Sequence, residues 1–474
     1  MCRPPANDAP HADAPPPRVC RVLIAGAGPA GLLLHALLHH RNKSSASRAG
    51  VTYRVTIVDG RQDLGLLTPE ELRANHRSWM IGLSGHGLEA VRSVPGLWED
   101  YLSEGVGVKL MEASLILGSR KINATQPEAE GFIVDRNFIV AAMARYARDR
   151  IWSLSTDHVF RYGTDLLYVD HDNRRVLLRD RATKVEEYAS YDLLVGADGV
   201  RSVVREALVK RHVDTELQTN DMINLSMGVP RNLFNAISDD LKSDDPTVVA
   251  AYLRKNFKAF ELDSNDAYLD WATQWVNQRW NLTGQVHCNR YHSVECGIVM
   301  MGDSVHATSP SIGMGMNTAL RDAQKFLELL EEYDDNLDAV LPRYSVDRVP
   351  EGNALTNLAM NLFCFNTRVY MKTLVKSIVR SGLNYIFPKF VDPDPNALLG
   401  RPEHTLSYVY NMAVDQGIIV RHREINMRIR QEFFERRTGM VTIKEKKNSL
   451  VSLAMYVALA AIVPAAIMAG KNNI

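Results

Sequence analysis

One stretch decides the fold, an apolar run that leads into a glycine-rich turn: Val22-Leu23-Ile24-Ala25-Gly26-Ala27-Gly28-Pro29-Ala30-Gly31. The turn has the spacing GxGxxG and opens onto an apolar helical run, Leu32 to Leu38. Such glycines permit a tight turn, close approach of a pyrophosphate and close packing of helix on strand. This strand–turn–helix order predicts a Rossmann-like dinucleotide site formed by Gly26, Gly28, Pro29, Ala30 and Gly31.

The next strand-like run, Arg54 to Val58, ends at Asp59. A carboxylate at this place can accept hydrogen bonds from a ribose. Its distance from the glycine turn is longer than usual, and the polar residues His39 to Ser45 explain the difference as an inserted surface loop. A solvated strand-end carboxylate is the alternative; the glycine turn upstream favours the ribose interpretation.

Two further strands end in a glycine and an acid. Leu193-Leu194-Val195 leads to Gly196-Ala197-Asp198-Gly199, and Val299-Met300-Met301 leads to Gly302-Asp303. Either turn alone is common, but three strand-end glycine motifs in one chain favour a shared ligand. After Asp303 a loop with Pro310, Gly313, Gly315 and Met316 runs into a predicted helix from Asn317 to about Glu332, whose unpaired amides can face an electron-rich ring.

Three other side chains are candidates with simpler alternatives. Arg77 can bind a substrate carboxylate as a bidentate fork or cover surface, and the sequence alone favours the surface. Arg136 precedes a predicted helix, Asn137 to Arg148, where it reaches cofactor phosphate or forms a structural ion pair. His306 sits beside a turn, and a lone histidine there is more often structural than a proton donor.

Composition excludes several classes of protein. The chain has 474 residues, 46% hydrophobic and 23% charged, and a formal net charge of zero, which is ordinary globular usage without the basic excess of a nucleic-acid-binding protein. Its 5 cysteines form no CxxC pair, so neither a disulfide framework nor a metal site is expected. Residues 1–17, rich in Pro and Ala, predict a disordered lead without a secretory signal.

The three glycine motifs together resemble those of the class A, single-component FAD-dependent aromatic monooxygenases. Within that family, the segments Arg77 to Ser84 and Leu341 to Leu355 resemble the kynurenine 3-monooxygenase group. The resemblance implies an α/β fold of the α+β type, with a Rossmann-like FAD-binding domain, a smaller substrate domain and C-terminal helices.

The resemblance also implies roles for matching positions. Gly26, Gly28 and Gly31 would hold the pyrophosphate of FAD, Asp59 its ribose and Asp303 its ribityl chain. Further cofactor contacts would come from the remaining matching residues, namely Arg136, Asp198, Gly302, Pro310, Gly313, Gly315, Met316 and Asn317. Arg77 would bind the substrate carboxylate.

The implied reaction is reduction of FAD by NADPH or NADH, capture of O2 as a flavin C4a-hydroperoxide, and hydroxylation of an aromatic substrate. The flavin carries this chemistry, so no catalytic side chain and no metal is predicted. Two segments depart from the family. The interval from Asp198 to Asp303 is short, and Asn235 to Trp280 within it is more helical and charged than stranded in character; Asn361 to Arg368 lacks the expected polar cluster. An epoxidase or dehydrogenase acting on a lipophilic substrate, or a catalytically silent flavoprotein, are therefore the alternatives.

The C-terminus predicts a membrane anchor. Residues 450–469 are uncharged and apolar over the length needed to span a bilayer, and basic residues precede them. This pattern predicts a tail-anchored protein with a cytosolic catalytic domain. The resemblance implies the mitochondrial outer membrane, and a short tail with basic flanks is also typical of the endoplasmic reticulum. The expected segments are a disordered lead 1–17, FAD-binding domain 18–210, shortened substrate domain 211–295, FAD-binding return 296–360, helical region 361–447 and anchor 448–474.

Overall fold

The structure is a computed structural model of the chain. It describes residues 18–44, 50–74, 80–103, 107–109, 113–117, 120–124, 130–155, 157–212, 214–215, 217–224, 238–256, 264–277 and 281–437. Both departures from the family noted above fall largely within these ranges, whereas Arg77 and the predicted anchor, 448–474, lie outside them.

A six-stranded sheet forms the centre of the fold, with the order β15-β16-β12-β1-β2-β8. Its strands are parallel except for the edge strand β15. Parallel strands that are buried on both faces have continuous apolar sequences. For this reason β1, β12 and β16 could be predicted from the sequence. The strands are β1 (Arg18–Ala25), β2 (Val51–Asp59), β3 (Met80–Ser84), β4 (Gly107–Lys109), β5 (Ala113–Leu117), β6 (Arg120–Ala124), β7 (Gly131–Asp135), β8 (His158–Tyr162), β9 (Thr164–Asp170), β10 (Arg175–Asp180), β11 (Glu186–Ser190), β12 (Leu193–Gly196), β13 (Leu217–Asn224), β14 (Asn281–Cys288), β15 (His292–Ser293) and β16 (Ile298–Met300).

The helices cover the sheet and continue into a C-terminal helical region. They are α1 (Pro29–Lys43), α2 (Pro69–Ala74), α3 (Gly85–Arg92), α4 (Arg136–Arg150), α5 (Val203–Arg211), α6 (Pro246–Asn256), α7 (Asn265–Asn277), α8 (Asp303–His306), α9 (Gly315–Glu332), α10 (Leu337–Asn361), α11 (Thr367–Ile386), α12 (Pro395–Leu398), α13 (Leu406–Asp415) and α14 (Ile418–Arg437). The predicted strand–turn–helix units therefore form in the described residues. The mixed α/β architecture is confirmed.

The prediction of an inserted loop at residues 39–45 is wrong for residues 39–43. Helix α1 continues to Lys43, and His39 and Arg41 are buried. Arg41 pairs with buried Asp335 beyond the end of α9, at 3.0 Å, and the hydroxyl of Tyr53 donates to the same carboxylate at 2.8 Å. Because each charge finds its partner on another element, a polar segment becomes interior, which local composition cannot reveal.

The middle of the chain carries less sheet than helix. Between Arg211 and His292 the described residues contain two paired antiparallel strands, β13 and β14, and the helices α6 and α7. Those helices share a small apolar core formed by Leu241, Val249, Leu253, Tyr268, Ala272 and Trp275. The helical character expected for this segment is confirmed.

Three buried histidines link α1 to the sheet edge. A ring nitrogen of His158 on β8 lies 3.1 Å from one of His35, and its other nitrogen lies 3.1 Å from one of His39. Burial lowers the pKa of His35 well below its usual value and lowers those of His39 and His158 to about 4. The folded protein therefore keeps this chain of rings neutral in a pH range where the unfolded chain protonates them.

This linkage predicts a loss of stability in mild acid. Because the folded-state pKa values are depressed, the contribution is complete above pH 6.5 and falls as pH decreases from 6.5 towards 4. Each such histidine should lower the free energy of unfolding by about 1.4 kcal/mol per pH unit in that window. Urea unfolding at pH 7.5, 6 and 5 measures this slope.

The variant His39→Gln is the matched control, since glutamine retains a hydrogen-bonding group for His158 but does not titrate. This variant should reduce the pH dependence of the free energy of unfolding by the contribution of about one histidine. Identical slopes for the two proteins would contradict the assignment.

Candidate functional site

The three glycine turns meet at the carboxyl edge of the central sheet. In the register of β1, β12 and β16, Ala25 pairs with Gly196, and Gly196 pairs with Met300. A Cβ added to Gly26 would lie 2.2 Å from the carbonyl oxygen of Ala197, so the first two turns touch through backbone alone. The carboxyl ends of parallel strands are where open α/β sheets bind ligands.

Glycines on these turns also border open space. A Cβ added at Gly28, Gly199 or Gly313 would meet no heavy atom within 4 Å. Gly31 differs, because a Cβ added there would lie 2.1 Å from the carbonyl oxygen of Gly26. Only glycine therefore allows α1 to pack this closely against the first turn. The turns thus form a cradle of exposed backbone beside the N-terminus of α1, an arrangement suited to a phosphate-bearing ligand.

Asp59 lies at the end of β2, beside the first turn. It accepts hydrogen bonds from the amide of Ala27 at 2.8 Å and from the amide and side chain of Arg61 at 2.7–3.0 Å. Burial opposes its charge, but the Arg61 guanidinium and these amides more than offset that effect and lower the pKa of Asp59. Both carboxylate oxygens are therefore occupied, and a ribose hydroxyl would share them with Arg61.

Arg136 and Asp303 face the same space. Burial lowers the pKa of Arg136, while the nearby carboxylates of Asp303 and Asp59 favour its charged form. Asp303 is exposed at the start of α8, after Gly302 with a φ of +66°. The structure therefore brings together residues from β2, α4 and the third turn that lie far apart in the sequence.

Asp198 has one satisfied and one orphaned oxygen. The amides of Val203 and Val204 donate to Oδ2 at 2.8 and 3.3 Å, whereas Oδ1 is buried without a hydrogen bond in the described residues. Burial raises the pKa of this carboxyl. A buried polar atom beside the open face of Gly199 is suited to a donor from a bound ligand.

The predicted loop before α9 is present, and the side chain of Asn317 holds it in place. Its Oδ1 accepts from the amide of Ser84 at 2.9 Å, and its Nδ2 donates to the carbonyls of Gly82 and Gly313 at 3.1 and 3.0 Å. The fully buried side chain thus binds β3 to the loop. Gly315 and Met316 remain at the helix start, where first-turn amides lack intrahelical partners, and Pro310 begins a short 3-10 turn, Pro310–Ile312.

Sequence reasoning missed a buried ionic network behind the third turn. Asp322 on α9 accepts from the amide of Gly302 at 2.8 Å, lies 2.6 Å from Nε2 of His306, and accepts from Arg348 of α10 at 2.6 Å. Burial disfavours its charge, but His306 and Arg348 more than compensate and lower the pKa of Asp322. His306 is therefore a structural residue, as expected. His306 and Asp322 are 16 residues apart, a spacing that matches no recognised motif, so the sequence did not indicate that their side chains meet.

Two predicted features cannot be placed. Arg77 lies outside the described residues, although β3, which follows it, is the strand held by Asn317. The predicted anchor, 448–474, also lies outside them. No helix in the described ranges is both long and apolar enough to cross a membrane.

Comparison with known proteins agrees with this geometry. The family described as FAD binding domain matches residues 19–239 and 258–359. Kynurenine 3-monooxygenase of Sus scrofa is 24% identical over 382 residues, which cover 72% of this chain and 74% of that protein. The enzyme of the same name from Cryptococcus neoformans is 24% identical over 465 residues, covering 82% and 85%.

A solved structure has the same fold. The complex of PqsL from P. aeruginosa with 2-aminobenzoylacetate superposes with a TM-score of 0.50 at 18% identity, covering 72% of this chain and 95% of that one. These similarities agree with the glycine cradle and with the parallel sheet beneath it. Together they indicate one family. The chain belongs to the FAD binding domain family and is a class A FAD-dependent monooxygenase that resembles kynurenine 3-monooxygenase.

Proposed function

We propose that the protein uses NADPH or NADH and O2 to hydroxylate an aromatic substrate with FAD bound along the carboxyl edge of the central sheet. One observation carries this proposal: three glycine turns from β1, β12 and β16 meet, with Gly28, Gly199 and Gly313 open to a ligand. The relatives named above are aromatic monooxygenases, which supports the reaction type.

The residues at this edge of the sheet fit FAD. The amides around Gly28 and the start of α1 would hold the pyrophosphate, and Asp59 would bind the ribose jointly with Arg61. Arg136 and Asp303 would flank the central part of the cofactor, and the orphaned Oδ1 of Asp198 would accept a hydrogen bond from it. Residues from Gly313 to Met316 would lie along the ring.

Bound FAD supplies the redox and oxygen chemistry, and the protein supplies position and electrostatics. The N-terminus of α9 has unpaired amides and partial positive charge, which would stabilise negative charge on a ring bound beside it. The Asn317 clamp holds that helix end against β3, and the Asp322 network holds the Gly302 turn from behind. These contacts fix the geometry before the ligand arrives.

We also propose that the protein contacts a membrane at two places. The first is the apolar tail, residues 450–469, as the sequence predicts. The second is α11 with the loop after it, in which residues 367–390 carry five basic and no acidic side chains: Arg368, Lys372, Lys376, Arg380 and Lys389. No described side chain of α11 is buried, and Tyr385 and Phe390 are 85% and 88% exposed. Basic, apolar and exposed character together is typical of helices that lie on anionic lipid.

Two glycine variants separate the cofactor site from the fold. Gly28 has an ordinary extended backbone and open space at its Cβ, so Gly28→Ala should change the stability of the flavin-free protein by less than about 0.5 kcal/mol. It should nevertheless lower bound flavin at least about tenfold, because the methyl group occupies the phosphate position. Gly31→Ala should destabilise the flavin-free protein by about 1–3 kcal/mol, since it overpacks α1 against the Gly26 carbonyl.

Urea unfolding of the flavin-free proteins and flavin absorbance of the purified ones measure the two effects. Full flavin occupancy in Gly28→Ala would contradict the proposed cofactor position.

The reaction is tested with detergent-purified full-length protein, NADPH, oxygen-18 gas and L-kynurenine, followed by a panel of other aromatic amines and phenols. We expect a flavin spectrum, substrate-stimulated NADPH oxidation and one labelled oxygen atom in the product. An oxidised product without label indicates the dehydrogenase alternative, and a labelled epoxide indicates the epoxidase. A purified protein without flavin would overturn the enzyme assignment.

Membrane contact by α11 is tested in the full-length chain reconstituted in anionic vesicles that contain brominated lipid. A tryptophan introduced as Phe390→Trp should be quenched, measured as the difference from the parent protein. The control Val185→Trp is placed between β10 and β11, where Val185 is 62% exposed, and should not be quenched. Co-flotation with vesicles but no quenching at position 390 would leave the tail as the anchor and exclude α11.

A further inference from the structure

A cavity of about 160 Å³ lies at the amino edge of the central sheet. Its lining comes from the start of β1, the turn before β10, the residue before β12, the turn between β15 and β16, and the start of α10. We call it the amino-edge cavity. Strand β1 runs from this cavity at Arg18 to the glycine cradle beyond Ala25, so the two sites lie at opposite edges of the sheet. An apolar cavity of about 150 Å³ can hold a benzene molecule, so there is room here for a small apolar group.

The lining of the amino-edge cavity is divided by polarity. Its charged residues Arg18, Arg174 and Asp338 are exposed and therefore mark the mouth. Burial raises the pKa of the Cys20 thiol to about 12, so that this group is neutral and acts as a small apolar side chain. Four apolar lining residues are buried or half-buried and form the base: Cys20, Val294, Leu337 and Leu341.

Three charges at the mouth are available to a ligand. Asp192 also lines the cavity, but its carboxylate accepts from Nε and Nη2 of Arg21 at 3.0 and 2.8 Å, and these bonds lower its pKa. By contrast, Arg18, Arg174 and Asp338 form no salt bridge with any residue that the structure describes. The mouth therefore offers two guanidiniums and one carboxylate beside an apolar base.

Contacts within the protein hold Arg174 in place. Its Nη2 donates to the carbonyls of Val294 and Glu295 at 3.3 and 2.9 Å, which leaves the donors of Nε and Nη1 for a ligand. The turn that carries those carbonyls is itself tight, because a Cβ added to Gly297 would lie 2.5 Å from the carbonyl oxygen of Asp192. A donor that is already oriented loses little freedom when a ligand binds.

The arrangement of charges selects the class of ligand. A simple anion would meet the carboxylate of Asp338 at the mouth, and a simple cation would meet the guanidiniums of Arg18 and Arg174. A ligand that carries both charges at one end and an apolar group at the other satisfies the mouth and the base together. An apolar α-amino acid has this form, and the fork of a guanidinium matches its carboxylate.

We propose that the amino-edge cavity binds an apolar α-amino acid. Its carboxylate would pair with Arg174 and Arg18, its ammonium group with Asp338, and its side chain would lie against the apolar base. This inference goes beyond the proposed monooxygenase function and does not rest on it, because the cavity lies at the edge of the sheet opposite the flavin site.

The test uses the detergent-purified full-length protein and three probes that share one apolar group: L-leucine, 4-methylpentanoate, which lacks the ammonium group, and 3-methylbutylamine, which lacks the carboxylate. Saturation-transfer NMR of the methyl signals of each probe gives dissociation constants that do not depend on turnover. L-leucine should bind about 3- to 10-fold more tightly than either of the other two, because only it makes both charged contacts.

Two variants assign the charged contacts. Arg174→Gln should weaken L-leucine and 4-methylpentanoate about 3- to 10-fold and leave 3-methylbutylamine unchanged. Asp338→Asn should weaken L-leucine and 3-methylbutylamine to a similar extent and leave 4-methylpentanoate unchanged. Arg174→Lys should retain part of the affinity that Arg174→Gln loses, since it keeps the charge without the fork.

Arg343→Gln is the matched control. Arg343 is exposed on α10 and pairs with Asp347 at 3.0 Å, outside the lining of the cavity, so its loss should affect none of the probes. Val294→Trp should abolish binding of all three, because the indole fills the space at the base.

Other outcomes overturn the inference. Equal affinity for the three probes, or binding of L-leucine that neither charge variant changes, places the ligand elsewhere. Weakening of all three probes by Arg174→Gln assigns Arg174 to the structure of the turn. A flavin-loaded protein that oxidises NADPH with an aromatic substrate but does not bind L-leucine would overturn this inference alone.

Discussion

The close approach of Gly26 to the carbonyl of Ala197 is the contact on which the site depends. A side chain at position 26 would overlap that carbonyl at 2.2 Å, so only glycine lets the first turn lie against the second. The approach follows from the parallel pairing of β1 with β12, which brings both strand ends to one edge. Because backbone rather than side chains lines that edge, a large ligand can rest on unpaired amides.

A second layer of contacts converts this edge into a rigid cradle. Asn317 makes three hydrogen bonds, which join β3 to the loop before α9. Asp322 is buried and forms hydrogen bonds with the amide of Gly302 and the side chains of His306 and Arg348. Separating Asp322 from Arg348 would leave a buried charge without its counterion, which is strongly unfavourable. The network therefore fixes the third turn relative to α9 and α10.

The C-terminal helices contribute to the same region from the other side. His422 and Asn426 satisfy the carbonyls at the end of α10, and Leu358 and Met314 share a core with α13. By contrast, α11 buries no described side chain and presents basic and aromatic residues outward. The helices of this region therefore differ in their packing. Helices α13 and α14 pack against α10, whereas the described side chains of α11 remain partly or fully exposed.

The sequence alone determined the strand–turn–helix units, because their signal is local: an apolar run, glycines and a helical period lie next to one another. It therefore identified the ends of β1, β12 and β16 and the FAD-dependent family. Only the tertiary structure decided which side chains meet. His39 and Arg41 looked like a surface loop until His158 and Asp335 supplied buried partners from other elements. Asn317 likewise acquired its role from residues far away in the chain, since the energy of a buried polar group depends on its partners and not on its sequence neighbours.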